Sequence, residues 1–225
     1  MGDWQGATCA WHGDSISRQD GCAYDEGAQA ARGYQTYAKE QLGFGRIDTH
    51  AIGGRPMANG TDRGEGICSI IRDTDNDADL VVIAGGTNDF RLNVPIGELG
   101  ATGDISFDDC TFYGALRSAI EHMLTVEPTR RIALFTPLQR GNAPYDVNYV
   151  NAAGHRLVDY ADAIARVGAM YAIPVYDAYR TSGITQLNLR VYTLDGLHPN
   201  DAGYERIART MIPFLRNLGG VSSPR

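Results

Sequence analysis

Asp79-Leu80-Val81-Val82-Ile83-Ala84-Gly85-Gly86-Thr87-Asn88-Asp89 is the stretch that decides the architecture. An unbroken apolar run rich in β-branched residues and stopped by a glycine pair suits a central strand buried on both faces. Strands of that kind belong to parallel sheets, whose crossovers are usually helices. The small and polar residues that follow it match turns at the carboxyl edge of an open α/β sheet, where such folds place their ligands.

On either side of this stretch, short β-like runs alternate with helical patterns. Towards the N-terminus, Ala7 to Trp11 predicts the first strand. Glu26 to Leu42 predicts a helix capped by Asp25, with Ala28, Ala31, Tyr34, Tyr37 and Ala38 at helical spacing and Gly43 as its stop. Arg46 to Ile52 predicts a second strand running into Gly53-Gly54-Arg55-Pro56, and Gly64 to Arg72 a short helix.

Towards the C-terminus, Phe90 to Phe107 reads as a long surface loop, a lid or rim. A helix from Asp109 to Val126, the strand Arg131 to Phe135 and a loop from Gln139 to Tyr145 follow. Val147 to Tyr171 predicts a long helix with Val150, Ala153, Leu157, Tyr160, Ile164 and Val167 on one stripe. Ile173 to Asp177 is the last strand, Ala178 to Tyr192 is irregular or partly helical, and Ala202 to Leu218 is the final helix. The expected fold is a three-layer α/β/α sandwich around a parallel sheet of about five strands. Residues 1–218 read as one domain and 219–225 as a flexible tail.

A chain of 225 residues with 43% hydrophobic and 21% charged residues has globular proportions. Its net charge of −7 argues against nucleic acid as a partner. No run approaches the roughly 18 apolar residues of a membrane span, and the N-terminus lacks a basic segment followed by an apolar one. The chain as given therefore fits a cytoplasmic protein, or equally a domain of a larger extracellular one. Cys9, Cys22, Cys68 and Cys110 form no CxxC pair and no HxxxH occurs, so metal ligation is not expected. Cys9 and Cys68 read as small buried hydrophobes.

His12-Gly13-Asp14-Ser15-Ile16-Ser17 follows the first strand, and two readings of it compete. Asp14 or Ser15 caps a helical turn, or Ser15 presents a nucleophile at the sheet edge. Downstream turns bear on the choice, because parallel strands gather the turns carrying Ser15, Gly54 and Asn88 on one edge. Asp195-Gly196-Leu197-His198 lies there too, between the last strand and the last helix. Serine catalysis needs a base, a group that orients it and oxyanion donors. His198 is the candidate base and Asp195 its orienting carboxylate, with a turn or cap role as the alternative for Asp195. The backbone N–H groups of Ser15 and Gly54 and the side-chain amide of Asn88 are the candidate oxyanion donors.

Gly13-Asp14-Ser15-Ile16-Ser17, Gly54 within Ala51-Ile52-Gly53-Gly54, Gly86-Thr87-Asn88-Asp89 and Asp195-Gly196-Leu197-His198-Pro199 resemble, in order, the first, second, third and fifth blocks of the SGNH, or GDSL-like, hydrolases. The resemblance spans residues 13 to 199. It implies a flavodoxin-like α/β/α fold and cofactor-independent ester hydrolysis, with Ser15 attacking an acyl carbonyl, His198 as base and water cleaving the acyl-enzyme. The family's members include carbohydrate acetylesterases, carboxylesterases, lipases, lysophospholipases and thioesterases.

Arg55, Arg91 and Arg190 sit beside these blocks and suggest contact with an anionic substrate, although Arg55 is equally suited to solvent or to pairing with Asp48 or Asp89. Asp89 either braces the Asn88 turn or contacts substrate. Asp14 reads as a turn support. His12 packs or hydrogen-bonds beside the first block, His50 belongs to the core or rim, and His122 and His155 fall in helices. The polar rim segments, with scattered Tyr and Phe, favour O-acetyl groups on a carbohydrate over long acyl chains. A short-chain carboxylesterase, a thioesterase or a catalytically weak glycan-binding module are the alternatives, and the expected partner is an acylated small molecule or glycan.

Overall fold

The computed structural model describes residues 4–23 and 29–219. Strands β1 (Thr8–His12), β2 (Arg46–Thr49), β3 (Leu80–Ala84), β4 (Ile132–Phe135) and β5 (Val175–Tyr176) form one sheet in the order β2-β1-β3-β4-β5. Every pairing is parallel. The helices, in chain order, are α1 (Ser15–Arg18), α2 (Tyr34–Leu42), α3 (Ile67–Asp73), α4 (Thr87–Arg91), α5 (Phe112–Val126), α6 (Leu157–Met170), α7 (Ala178–Thr181), α8 (Leu189–Tyr192) and α9 (Asp201–Leu218). This is the expected α/β fold with a flavodoxin-like strand order, whose switch point lies between β1 and β3.

Period-two alternation divides β1, β3, β4 and β5 between two cores. Val81 and Ile83 pack with Ala10, Ile132 and Leu134 under α3, α5 and α6. Leu80 and Val82 pack with Cys9, Trp11, Ala133 and Phe135 under α2 and α9. With both faces covered, β3 has no solvated side and its continuous apolar run is explained. Burying each such side chain is worth about 1.5–3 kcal/mol, so one polar substitution at Val81 or Val82 would damage a whole layer. Cys9 and Cys68 are buried in these layers, as expected.

Side chains that compete for backbone groups move two predicted helix starts. The helix expected from Glu26 starts only at Tyr34. Its predicted cap, Asp25, and Ala28 lie outside the described residues. Ala30 bridges to Ala23, and Asp20 Oδ1 accepts from the N–H groups of Gly33 (2.6 Å) and Thr36 (3.3 Å), which fixes the helix start there.

The helix expected from Val147 starts only at Leu157. Asn151 Oδ1 accepts from the backbone N–H of Ala153 (3.1 Å) and His155 (2.9 Å), holding a turn where the helix would run. Val150 therefore leaves the predicted stripe and is 54% exposed, and His155 stands before the helix rather than in it.

The surface loop, lid or rim expected over Phe90 to Phe107 is irregular and exposed from Gly100 to Ser106, but its start is packed down. Phe90 itself belongs to α4 and is fully buried, and Val94 and Ile96 enter the core. Arg117 of α5 donates to Leu99 O (2.7 Å), Ala101 O (2.8 Å) and Asp104 Oδ2 (3.0 Å), so the carbonyls of an otherwise irregular stretch find a buried donor.

Candidate active site

At the end of β1 the two readings of the first turn divide between neighbouring residues. Asp14 is the cap: its Oδ1 accepts from Ile16 N (2.9 Å) and opens α1. Burial, opposed by that amide and by the charges of His198 and Arg140, pushes its carboxyl up to about 6. Ser15, the first residue of α1, lies 2.9 Å through Oγ from His198 Nε2.

His198 Nδ1 lies 2.7 Å from Asp195 Oδ2. An ionised carboxylate only accepts, so in the neutral tautomer that suits this pair Nδ1 carries the proton and Nε2 can accept from the serine hydroxyl. Asp195 Oδ1 also accepts from Leu197 N (2.9 Å) and His198 N (2.8 Å), which folds the loop around the carboxylate. Burial acts to raise the Asp195 carboxyl, but the His198 amide and imidazole and the Leu197 amide prevail and hold it below its ordinary value. Its side chain remains half exposed, and the ring of His198 about one-third exposed.

Residues 52–55 form a turn closed by Arg55 N to Ile52 O (3.3 Å), with Gly54 at φ 77°. That left-handed position strains any residue with a Cβ, which accounts for glycine there. A Cβ built on Gly53 would lie 3.9 Å from Ser15 Cβ, so the turn stands against the serine. At the end of β3, Gly86 at φ 103° turns the chain into α4. Asn88 is buried there, and its Nδ2 donates one proton to Arg55 O (3.1 Å), leaving a second N–H.

Of the two readings of Asp89, the structure shows the brace. It is fully buried, and its two oxygens accept from Met57 N (2.9 Å) and Ala58 N (3.0 Å), tying the glycine turn to the Asn88 turn. Burial pushes its carboxyl up to about 7 against those amides.

Arg55 pairs with neither Asp48 nor Asp89. Its guanidinium donates to the carbonyls of Arg63 and Glu65 (3.0 Å to the latter), while Asp48 pairs with Arg46. Arg91 remains at the site, with Nε and Nη2 reaching Asn88 Oδ1 at 3.4 and 3.3 Å. Arg190 is exposed on α8. His12 is buried, stacked on His50 at 4.9 Å and bonded to Asn76 Oδ1 (2.7 Å).

Arg140 escaped the sequence reading. Its Nη1 donates to Thr87 O (3.2 Å) and Thr87 Oγ1 (3.0 Å), and the next residue, Gly141, donates to Gly196 O (2.9 Å). The β4 turn is thereby tied to the Asn88 turn and to the His198 loop. The available signal was position, since every strand end on this edge carries a polar residue of consequence.

A depression of about 200 Å³ lined by Ser15, Arg18, Gln19, Cys22 and His198 opens at the serine. A larger recess, of about 830 Å³, lies at the opposite edge around Thr8, Arg46 and Asp79, away from this chemistry. Among the described residues no group of His, Cys, Asp and Glu is arranged to hold a metal, and no helix is long and apolar enough to cross a membrane.

A flavodoxin-like sheet carrying a hydrogen-bonded Ser–His–Asp chain at its switch point defines the class as an α/β serine hydrolase. The chain belongs to the GDSL-like lipase/acylhydrolase family, whose model matches residues 12–206. Among solved structures, a protein from Lactobacillus plantarum is 29% identical, with a TM-score of 0.78 over 95% of this chain and 98% of that one. A lipase candidate from Chitinophaga pinensis is 23% identical, with a TM-score of 0.76 over 95% and 99%. A GDSL-like lipase from Bacteroides thetaiotaomicron is 18% identical, with a TM-score of 0.64 over 94% and 89%. No curated protein matches the sequence.

Proposed function

We propose that this chain, acting as one catalytic unit over residues 1–218, hydrolyses short acyl esters, with O-acetyl groups on a carbohydrate as its substrate class. The observation that carries the reading is the continuous chain from Ser15 Oγ to His198 (2.9 Å) and on to Asp195 (2.7 Å). Ser15 Oγ attacks the acyl carbonyl as His198 Nε2 takes its proton, and Asp195 holds the Nδ1–H tautomer and stabilises the imidazolium. The N–H groups of Ser15 and Gly54 and the spare amide N–H of Asn88 receive the oxyanion. Collapse expels the alcohol, which takes the proton from His198. A water then enters by the reverse sequence and releases the acid.

The small depression at Ser15 supports an acyl group of acetyl size, and the polar residues that line it, Arg18 and Gln19, support a hydroxylated leaving group. Exposed Val191 and Leu194, next to the His198 loop, favour a second reading, a short-chain esterase with an apolar leaving group. Chromogenic acetyl and octanoyl esters and a panel of acetylated glycans separate these readings. Ser15→Ala should lower kcat by on the order of a million-fold. Equal rates for the two proteins would exclude the serine mechanism, and a clear preference for octanoyl would exclude the deacetylase.

A further inference from the structure

Two arginines with similar burial are treated very differently by this fold. Arg117, 3% exposed, meets Asp104 at 3.0 Å and Glu121 at 3.4 Å. Arg140, 1% exposed, has only neutral partners: Thr87 O and Oγ1 through Nη1, Asn142 Oδ1 (2.9 Å) through Nε, and the face of the Tyr145 ring, 5.1 Å from its guanidinium carbon. Its Nη2 is buried with no hydrogen-bond partner.

Arg91 stands near enough for the two charges to repel. Burial first, and then Arg91, lower the Arg140 guanidinium to about 10, which leaves it cationic at neutral pH. Arg91 has one polar partner among the described residues, Asn88 Oδ1, at the long distances of 3.3–3.4 Å. Among the described residues no carboxylate comes within ion-pair distance of either guanidinium, whereas Arg46 and Arg72 each have one and Arg117 and Arg180 each have two. Asp14 and Asp195 act on Arg140 only at longer range.

A buried charge without a counter-charge costs folding free energy, and a chain of net charge −7 has acidic residues to spare. Both uncompensated cations nevertheless sit on the catalytic edge. Arg140 bonds to Thr87, Arg91 to Asn88, and both of those residues belong to α4.

We propose that Arg91 and Arg140 form an anion-recognising subsite beside Asn88, so that the ester processed at Ser15 carries a carboxylate or similar oxyanion. Arg91, half-buried at the surface, makes the contact, because a guanidinium offers paired donors matched to a carboxylate. Arg140 lies beneath and keeps the local potential positive. Arg55, spent on two loop carbonyls, takes no part. The ester half of this assignment rests on the function proposed above, whereas the anion half does not.

The test uses the full chain and two matched pairs of substrates. 4-Acetoxybenzoate against 4-acetoxybenzamide places the charge on the leaving group, and 4-nitrophenyl hydrogen succinate against 4-nitrophenyl butyrate places it on the acyl group. In one pair the ratio of kcat/KM, charged over neutral, should fall about tenfold to a hundredfold in Arg91→Gln, the scale of one charge-assisted hydrogen bond, and recover partly in Arg91→Lys. Equal losses on both members of each pair would show that Arg91 serves only to hold Asn88, and would overturn the subsite.

Calorimetric titration of Ser15→Ala with benzoate and succinate provides the second arm, because it needs no turnover. One of these anions should bind, and adding Arg91→Gln should weaken it about tenfold. Absence of turnover with binding retained would sink the esterase reading alone. Turnover with no binding and no charge preference would sink the subsite alone.

Discussion

The two halves of the candidate site are built in opposite ways. On the β1–β3 side Asp14, Asn88 and Asp89 are buried and bonded to backbone, with Asp89 spending both oxygens on the amides of Met57 and Ala58. On the α9 side Asp195 is half exposed and His198 about one-third exposed, held by a single short loop. The difference follows the chemistry proposed for each. Donors that meet a developing oxyanion gain most from being fixed in advance, whereas a base that exchanges protons with alcohol and water needs access to them. Mutations on the two sides should therefore separate activity from stability.

The largest effect after loss of the serine is expected on the exposed side. Asp195→Asn should lower kcat by about 10⁴, as loss of the orienting acceptor does in serine hydrolases, while thermal unfolding stays within about 1 kcal/mol of the parent, as for an exposed pair. Because the Asp195 carboxyl is held below its ordinary value, it remains ionised across the acid limb of a pH–rate profile. The substitution should therefore lower the plateau. A shifted limb at unchanged plateau would count against the assigned role, and a strongly destabilised protein would erase the contrast between the halves.

Asn88→Ala should cost about a hundredfold to a thousandfold in kcat, with a smaller change in KM. A near-normal rate would remove Asn88 from the oxyanion donors and leave it a structural link to Arg55.

Asp89 sharpens the comparison through stability. Asp89→Ala leaves two buried N–H groups without an acceptor, at about 1–3 kcal/mol each, so its denaturation midpoint should fall well below that of Asp195→Asn. Its pH signature has a definite sign. The folded state raises this carboxyl from 3.8 to about 7, so the fold binds the proton more tightly than the unfolded chain does. The resulting stability is complete below about pH 4 and is lost as pH rises towards 7. Asp89→Asn cannot titrate and should show a flatter stability profile between pH 4 and 7. Parallel profiles for variant and parent would contradict the buried-carboxylate picture.

Much of the fold was legible because burial on two faces leaves a mark that needs no partner to read. Leu80 to Ala84 could hardly be anything but an interior strand, and the strand-end turns with Ser15, Gly54, Asn88 and His198 followed from parallel topology. The helix starts at Tyr34 and Leu157 were not legible, since each depends on one polar side chain, Asp20 or Asn151, diverting backbone amides. Asp89 reads identically as a brace or a contact until its burial is known.

The residue types and order of Ser15, Gly54, Asn88, Asp195 and His198 were determined by sequence alone, together with the parallel α/β class, because hydrophobic period and turn chemistry are local properties. Only the tertiary structure decided which arginine is spent and which is free. Arg55 and Arg91 look alike on paper, and only its position after β4 marked Arg140. The fate of a long cation depends on which carbonyls and carboxylates converge on it from distant parts of the chain, and that convergence exists only once the sheet has brought its turns together.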